Sequence, residues 1–139
     1  FSGQVSGESI IEKNQVEIKE IFEQENIEEI LNKTYSLSQN GSEFSKNTEH
    51  ELKGKSPTSL KITFKQIHMA TEMSLRDALI MEYRMVQRCQ ASGDFYEGVR
   101  AMLVDKDRTP QWKPSNVNKV DEIWVNHFFE PLHEKDLKI

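Results

Sequence analysis

Glycine and proline are scarce in this chain, six and four among 139 residues, which excludes collagen-like and linker-dominated chains and argues against most all-β architectures. Cysteine occurs once, at Cys89, so no internal disulfide can form and a reducing interior is the natural setting. Uninterrupted apolar runs last only a few residues, too short for a transmembrane helix, and no membrane partner is expected. No basic stripe with interleaved aromatics is present, which argues against a nucleic-acid partner. A Gly-x-Ser-x-Gly elbow and a glycine-rich phosphate loop are also missing, removing an esterase triad and nucleotide hydrolysis. The chain begins at Phe1, and the opening FSGQVSG lacks the basic amphipathic character of a transit peptide, so a segment of a longer chain is expected. The closing DLKI is not a peroxisomal address.

What the chain does have is charge and helical periodicity. The formal net charge of -5 is uneven: residues 1–51 carry 11 acidic and 4 basic side chains, residues 52–139 carry 12 and 14. A basic excess in the later part suits an anionic ligand, and solvated helix faces produce the same count. Capping chemistry predicts helix starts at Asn26 with Glu29, at Ser56 before Pro57, at Ser74 with Asp77, and at Asp94 with Glu97. Apolar residues then recur every three to four positions: Ile27, Ile30, Leu31 and Tyr35; Leu60, Phe64 and Ile67; Leu75, Leu79, Met81, Tyr83 and Val86; Phe95, Val99, Met102 and Leu103. An earlier helix is expected over residues 10–23 without a clean cap, and a last one should hold Val120, Ile123, Trp124 and Phe128 before Pro131. The fold class is all-α. Residues 1–40 should form N-terminal helices, residues 41–55 a loosely ordered connection and short helix, and residues 56–139 a C-terminal helical region. The Ser/Asn/Gln/Gly-rich stretch 36–48 is expected to be a loosely ordered connection, with a short helix resuming around Phe44 to Leu52.

Candidate chemistry is sparse. The four histidines, His50, His68, His127 and His133, show no His-x-x-x-His spacing, and no cysteine pair joins them, so no metal site is expected. Cys89 lies beside Arg88 and near Arg84, yet shares its helix face with Met85 and Val86, which suits packing better than nucleophilic attack. Asp94 and Glu97 are explained by capping and by a Glu97–Arg100 pair one turn on, and Glu82 by a polar helix face, so no catalytic residue is assigned. Gly93 suits a left-handed helix end, and Gly98, inside a helix, suggests another backbone approaching closely. Two readings remain open for the run Asp105, Lys106, Asp107, Arg108. Its charges neutralise one another at the surface while Trp112 anchors the chain, or Lys106 and Arg108 bind phosphate oxygens.

Three stretches carry a resemblance: SPTSLKIT at 56–63, MEYR at 81–84, and DFYEGVRAMLVDKDRTPQWKP at 94–114. Together they resemble the C-terminal region of the 3-hydroxyisobutyryl-coenzyme A hydrolases, members of the crotonase superfamily, and the likeness runs from about residue 10 to residue 139. The resemblance implies a helical C-terminal region of a crotonase-like α/β enzyme. It implies a mitochondrial thioester hydrolase of valine degradation, whose acyl-CoA substrate is held by a catalytic crotonase core outside these residues. No permanently bound cofactor is implied; the coenzyme A thioester is the substrate, and a homo-oligomer is the implied assembly. Lys106 and Arg108 become the candidate coenzyme A contacts. In simpler superfamily members an aromatic residue and a lysine follow the Glu-Gly element; here those offsets fall on Met102 and Asp105, with lysine at Lys106. The isolated segment should be inactive. A non-catalytic assembly module of a larger mitochondrial complex is the alternative, and a stand-alone helical adaptor a third reading.

Overall fold

The computed structural model describes residues 9–139, and the opening FSGQVSG lies outside them. Among the described residues every regular element is helical. The chain divides into two compact units, residues 1–53 and 54–139, and each is described by itself.

The first unit contains α1 (Ile10–Lys13), α2 (Gln15–Phe22), α3 (Ile27–Gln39) and α4 (Glu43–Lys53). Ser9 caps α1 reciprocally: its hydroxyl accepts the Glu12 N–H, and Glu12 accepts the Ser9 N–H at 2.8 Å. This cap was not foreseen, although Ser-x-x-Glu stands in the sequence. Asn26 caps α3 as expected, accepting the Glu29 N–H at 2.9 Å. Ile21, Ile27 and Ile30 are buried, and so are Thr34, Ser38 and Ser45. An unpartnered buried hydroxyl would cost about 1–3 kcal/mol, and all three find acceptors. Thr34 donates to the Ile30 carbonyl at 2.7 Å, the single Ser38 proton is shared between the Tyr35 carbonyl at 2.8 Å and Glu49, and Ser45 donates to Glu17. These bonds explain a difference from expectation. The polar stretch 36–48 is helical except at residues 40–42, where Gly41 supplies a φ of 97°.

The second unit contains α5 (Pro57–Ala70), α6 (Leu75–Ala91) and α7 (Gly93–Val99), a π-helical turn (Arg100–Val104), a 3-10 turn (Val117–Lys119), α8 (Glu122–His127) and a 3-10 turn (His133–Lys135). Ser56 and Ser74 cap α5 and α6 as expected, accepting the Ser59 and Asp77 N–H groups at 3.1 and 3.2 Å, and Pro57 occupies the first turn, where its missing N–H is harmless. The core joins Ile62 of α5, Met81 and Met85 of α6, Val120, and Val125 and Phe128 at α8. Its composition differs from the periodic pattern: Ile67 and Leu75 are 60% and 77% exposed, whereas Met85 is buried. Periodicity states which residues share a side of a helix, not which side is covered.

Gly93 is not a left-handed helix end. It is the first residue of α7, and Ser92, extended at φ -85° and ψ 149°, makes the turn between α6 and α7. Gly98 does meet a close neighbour, but the neighbour is a side chain. A Cβ there would stand 3.3 Å from the Trp112 ring, whose indole N–H donates to the Gly54 carbonyl at 3.1 Å. Trp112 thus anchors residues 105–114 onto α7 and the start of α5.

Candidate functional site

The signature stretch folds around one guanidinium. At the end of α7 the helix widens into the π turn, the Asp105 N–H reaching the Arg100 carbonyl at 2.8 Å. Arg100 Nε and Nη2 donate to the two Glu97 oxygens at 2.9 and 2.8 Å. Nη1 donates to Asp105 at 2.7 Å and Asp107 at 2.6 Å, and Nη2 also reaches the Thr109 carbonyl at 3.4 Å. All five donors of the guanidinium fork are occupied. Glu97 accepts the Gln111 N–H as well, at 2.6 Å, and Asp107 accepts the Thr109 N–H at 2.9 Å.

The electrostatics follow from this arrangement. Arg100 beside Glu97, helped by the Gln111 N–H, holds the Glu97 carboxyl at about 2 rather than the usual 4.5. The Thr109 N–H and Arg100 lower Asp107, and the carboxylates raise Arg100 further above its ordinary value. A depressed carboxyl stabilises the fold above its unfolded value, and that contribution disappears as pH falls from about 4.5 toward about 2 for Glu97. Residues 105–114 should therefore loosen in that window. With Trp124 replaced by Phe, the fluorescence of Trp112 is expected to change between pH 5 and 2, and Glu97→Gln should abolish the part of the transition that Glu97 drives. A Trp112 signal flat to pH 2 would contradict the knot.

Lys106 and Arg108 sit within this knot. Both are exposed, both have positive φ, 58° and 56°, and neither side chain has a hydrogen bond or ion pair among the described residues. The Arg108 N–H returns to the Ala101 carbonyl at 3.0 Å, fixing the loop against the π turn. The Asp-Lys-Asp-Arg run is thus sorted, its acids bonded to Arg100 and its bases left available. Sequence reasoning found the Glu97–Arg100 pair and missed that Asp105 and Asp107, five and seven residues beyond Arg100, share the same guanidinium.

Asp94 has a different role from the expected cap. Ser92 precedes α7 without capping it, its hydroxyl donating back to the Cys89 carbonyl at 2.7 Å, while Asp94 accepts the Ser56 hydroxyl through one oxygen and the Lys113 N–H at 3.0 Å through the other. It ties the start of α5 to the Trp112 segment. An apolar cleft of about 580 Å³ opens nearby, lined by Ile62, Phe95, Trp112, Trp124 and Phe128, with Asp94 its sole carboxylate among the described residues. A second cleft contains Asp94 and Glu97, both accepting backbone N–H groups. Neither offers an unengaged acid pair for hydrolysis. Cys89 lies at the margin of the core, and burial pushes its thiol up, opposite to what a nucleophile needs. Among the described residues no cluster of three or more His, Cys, Asp or Glu is arranged to hold a metal ion. His68 instead contacts the Phe64 carbonyl at 2.8 Å and His127 contacts Glu130 at 2.9 Å. No helix among the described residues is long and apolar enough to cross a membrane.

Comparison with known proteins agrees with this helical architecture. The chain is 42% identical over 132 residues to the mitochondrial 3-hydroxyisobutyryl-CoA hydrolase of Gallus gallus, covering 95% of this chain and 34% of that protein. The Danio rerio enzyme of the same name is 42% identical over 130 residues and the Homo sapiens one 40% over 129, covering 94% and 93% of this chain. The chain spans about a third of the length of the curated relatives it matches. A crystal structure of an enoyl-CoA hydratase from Rhodobacter sphaeroides 2.4.1 superposes with a TM-score of 0.87 at 26% identity, over 100% of this chain and 40% of that one. A carnitinyl-CoA dehydratase from Mycobacterium thermoresistibile gives 0.85 at 25% identity, over 97% of this chain and 38% of that one. With the enoyl-CoA hydratase/isomerase family matching residues 2–129, the chain belongs to that family, as a helical portion of its crotonase fold.

Proposed function

We propose that the chain is the C-terminal helical part of a mitochondrial 3-hydroxyisobutyryl-CoA hydrolase, which cleaves the thioester of a valine-derived acyl-CoA to free acid and coenzyme A. In this reading the helices buttress a catalytic core outside these residues, and Lys106 and Arg108 bind phosphate oxygens of coenzyme A. The observation that carries the coenzyme A role is the sorted loop, with two exposed bases unbonded while every neighbouring acid is engaged. Phosphate favours such donors, a forked guanidinium and a mobile ammonium. The packing role is supported by the apolar face of α7 and the π turn, where Tyr96, Met102, Leu103 and Val104 are 55–68% exposed. Such a face suits burial against the core or a second copy in a homo-oligomer.

The test is a steady-state measurement on the full-length hydrolase carrying Lys106→Ala and Arg108→Ala. KM for 3-hydroxyisobutyryl-CoA should rise roughly tenfold or more, the order expected for losing charge-assisted phosphate bonds, with kcat little changed. An unaltered KM would end the phosphate assignment.

A further inference from the structure

We infer that Arg100 is a positioning residue for coenzyme A recognition: by occupying Glu97, Asp105 and Asp107 at once, it withholds those acids from Lys106 and Arg108 and fixes the backbone that presents the two bases. This rests on the reading that Lys106 and Arg108 meet coenzyme A phosphates.

Three features of the chain support the role. In a mobile loop, alternating Asp and basic residues would pair with one another, and an anionic ligand would have to compete with those carboxylates. Here Nη1 of Arg100 takes both aspartates, at 2.7 and 2.6 Å, and the bases are free of them. Second, Lys106 and Arg108 adopt the left-handed region, uncommon for side chains with a Cβ, so surrounding bonds must hold them there. Those bonds lead back to the same place: Asp105 N–H to the Arg100 carbonyl, Arg108 N–H to the Ala101 carbonyl, and Thr109 both to Asp107 and to Arg100. Third, the guanidinium has no donor left to offer a ligand, so Arg100 acts through its neighbours. Lysine has three donors on a point charge and cannot span this set of acceptors, so charge alone would not substitute for the fork.

The experiment uses the full-length hydrolase with Arg100→Lys, which preserves net charge, and compares the coenzyme A thioester with the matching pantetheine thioester, which lacks the nucleotide phosphates. Arg100→Lys is expected to raise KM several-fold for the coenzyme A substrate alone, to leave kcat within about twofold, and to add nothing in the Lys106→Ala/Arg108→Ala background. Asp107→Ala supplies an independent arm should Arg100→Lys fold poorly. Removing an anion beside two bases should lower KM if only net charge matters, whereas loss of positioning raises it. If Lys106→Ala/Arg108→Ala raises KM but Arg100→Lys and Asp107→Ala do not, the positioning role is wrong and the phosphate reading stands. Should the double alanine variant leave KM unmoved, the phosphate reading itself fails and takes this inference with it. Equal KM increases for both substrates would reduce Arg100 to a purely structural residue and overturn the proposal.

Discussion

Replacing Phe128 by Ala is expected to lower the unfolding free energy by about 3–5 kcal/mol, the range for deleting a buried aromatic ring and leaving a cavity. Phe128 is 1% exposed and belongs to the cluster of Ile62, Met81, Met85, Val120 and Val125, while its ring meets Trp124 edge-on at 5.2 Å. Domain stabilities are only about 5–15 kcal/mol, so this one change removes a large share of the total. Phe95→Ala provides the internal contrast. That ring is 46% exposed, and its loss should matter far less. Urea denaturation of both variants measures the difference, and a shift below about 1 kcal/mol for Phe128→Ala would mean that this core is not where the second unit derives its stability.

The second large effect falls on Ser56. Its hydroxyl accepts the Ser59 N–H to cap α5 and donates its own proton to Asp94, from a site 5% exposed. Ser56→Ala removes both bonds and should destabilise by about 2–4 kcal/mol, a cap being worth about 1 and an orphaned carboxylate oxygen about 1–3. Ser56→Thr, which keeps the hydroxyl, should retain most of the stability. A double-mutant cycle with Asp94→Ala separates the contributions, because the cap survives in that background and the long-range bond does not. Equal losses in the presence and absence of Asp94 would show that the 56–94 bond contributes nothing.

These two residues also show what was readable from sequence. The cap at Ser56 depends on residues within one turn, and so do those at Asn26 and Ser74; all three were legible. The Ser9 cap is equally local, its Ser-x-x-Glu pattern lying within one turn. Asp94 was assigned to a local cap because its partners, Ser56 and Lys113, lie 38 and 19 residues away, and nothing in one-turn chemistry announces them. Gly98 pointed to a closely approaching backbone, and the close neighbour is instead the indole side chain of Trp112. The short helix expected around Phe44 to Leu52 is present as α4, whereas residues 36–39, expected to be loosely ordered, continue α3. Serine and threonine favour turns when their hydroxyls compete for the backbone, but here those hydroxyls bond to carbonyls and to Glu17 and Glu49 within and between helices.

The candidate site was half legible. Lys106 and Arg108 stood out as phosphate-compatible donors, and Glu97 with Arg100 as a one-turn ion pair. The hub was hidden because acids at five and seven residues beyond an arginine meet it only if the helix opens into a π turn and the following loop doubles back. Apolar spacing likewise could not reveal that Leu75, Met102, Leu103 and Val104 remain uncovered here, since coverage depends on what packs against the helices.

The division of labour is most directly tested by hydrolysis of 3-hydroxyisobutyryl-CoA, measured as thiol release, by the purified 139-residue chain beside the full-length hydrolase. The full-length protein should turn over while the 139-residue chain shows no rate above the uncatalysed reaction. Turnover by the 139-residue chain alone, abolished by a point substitution within it, would contradict the assignment of bond cleavage to residues outside these helices.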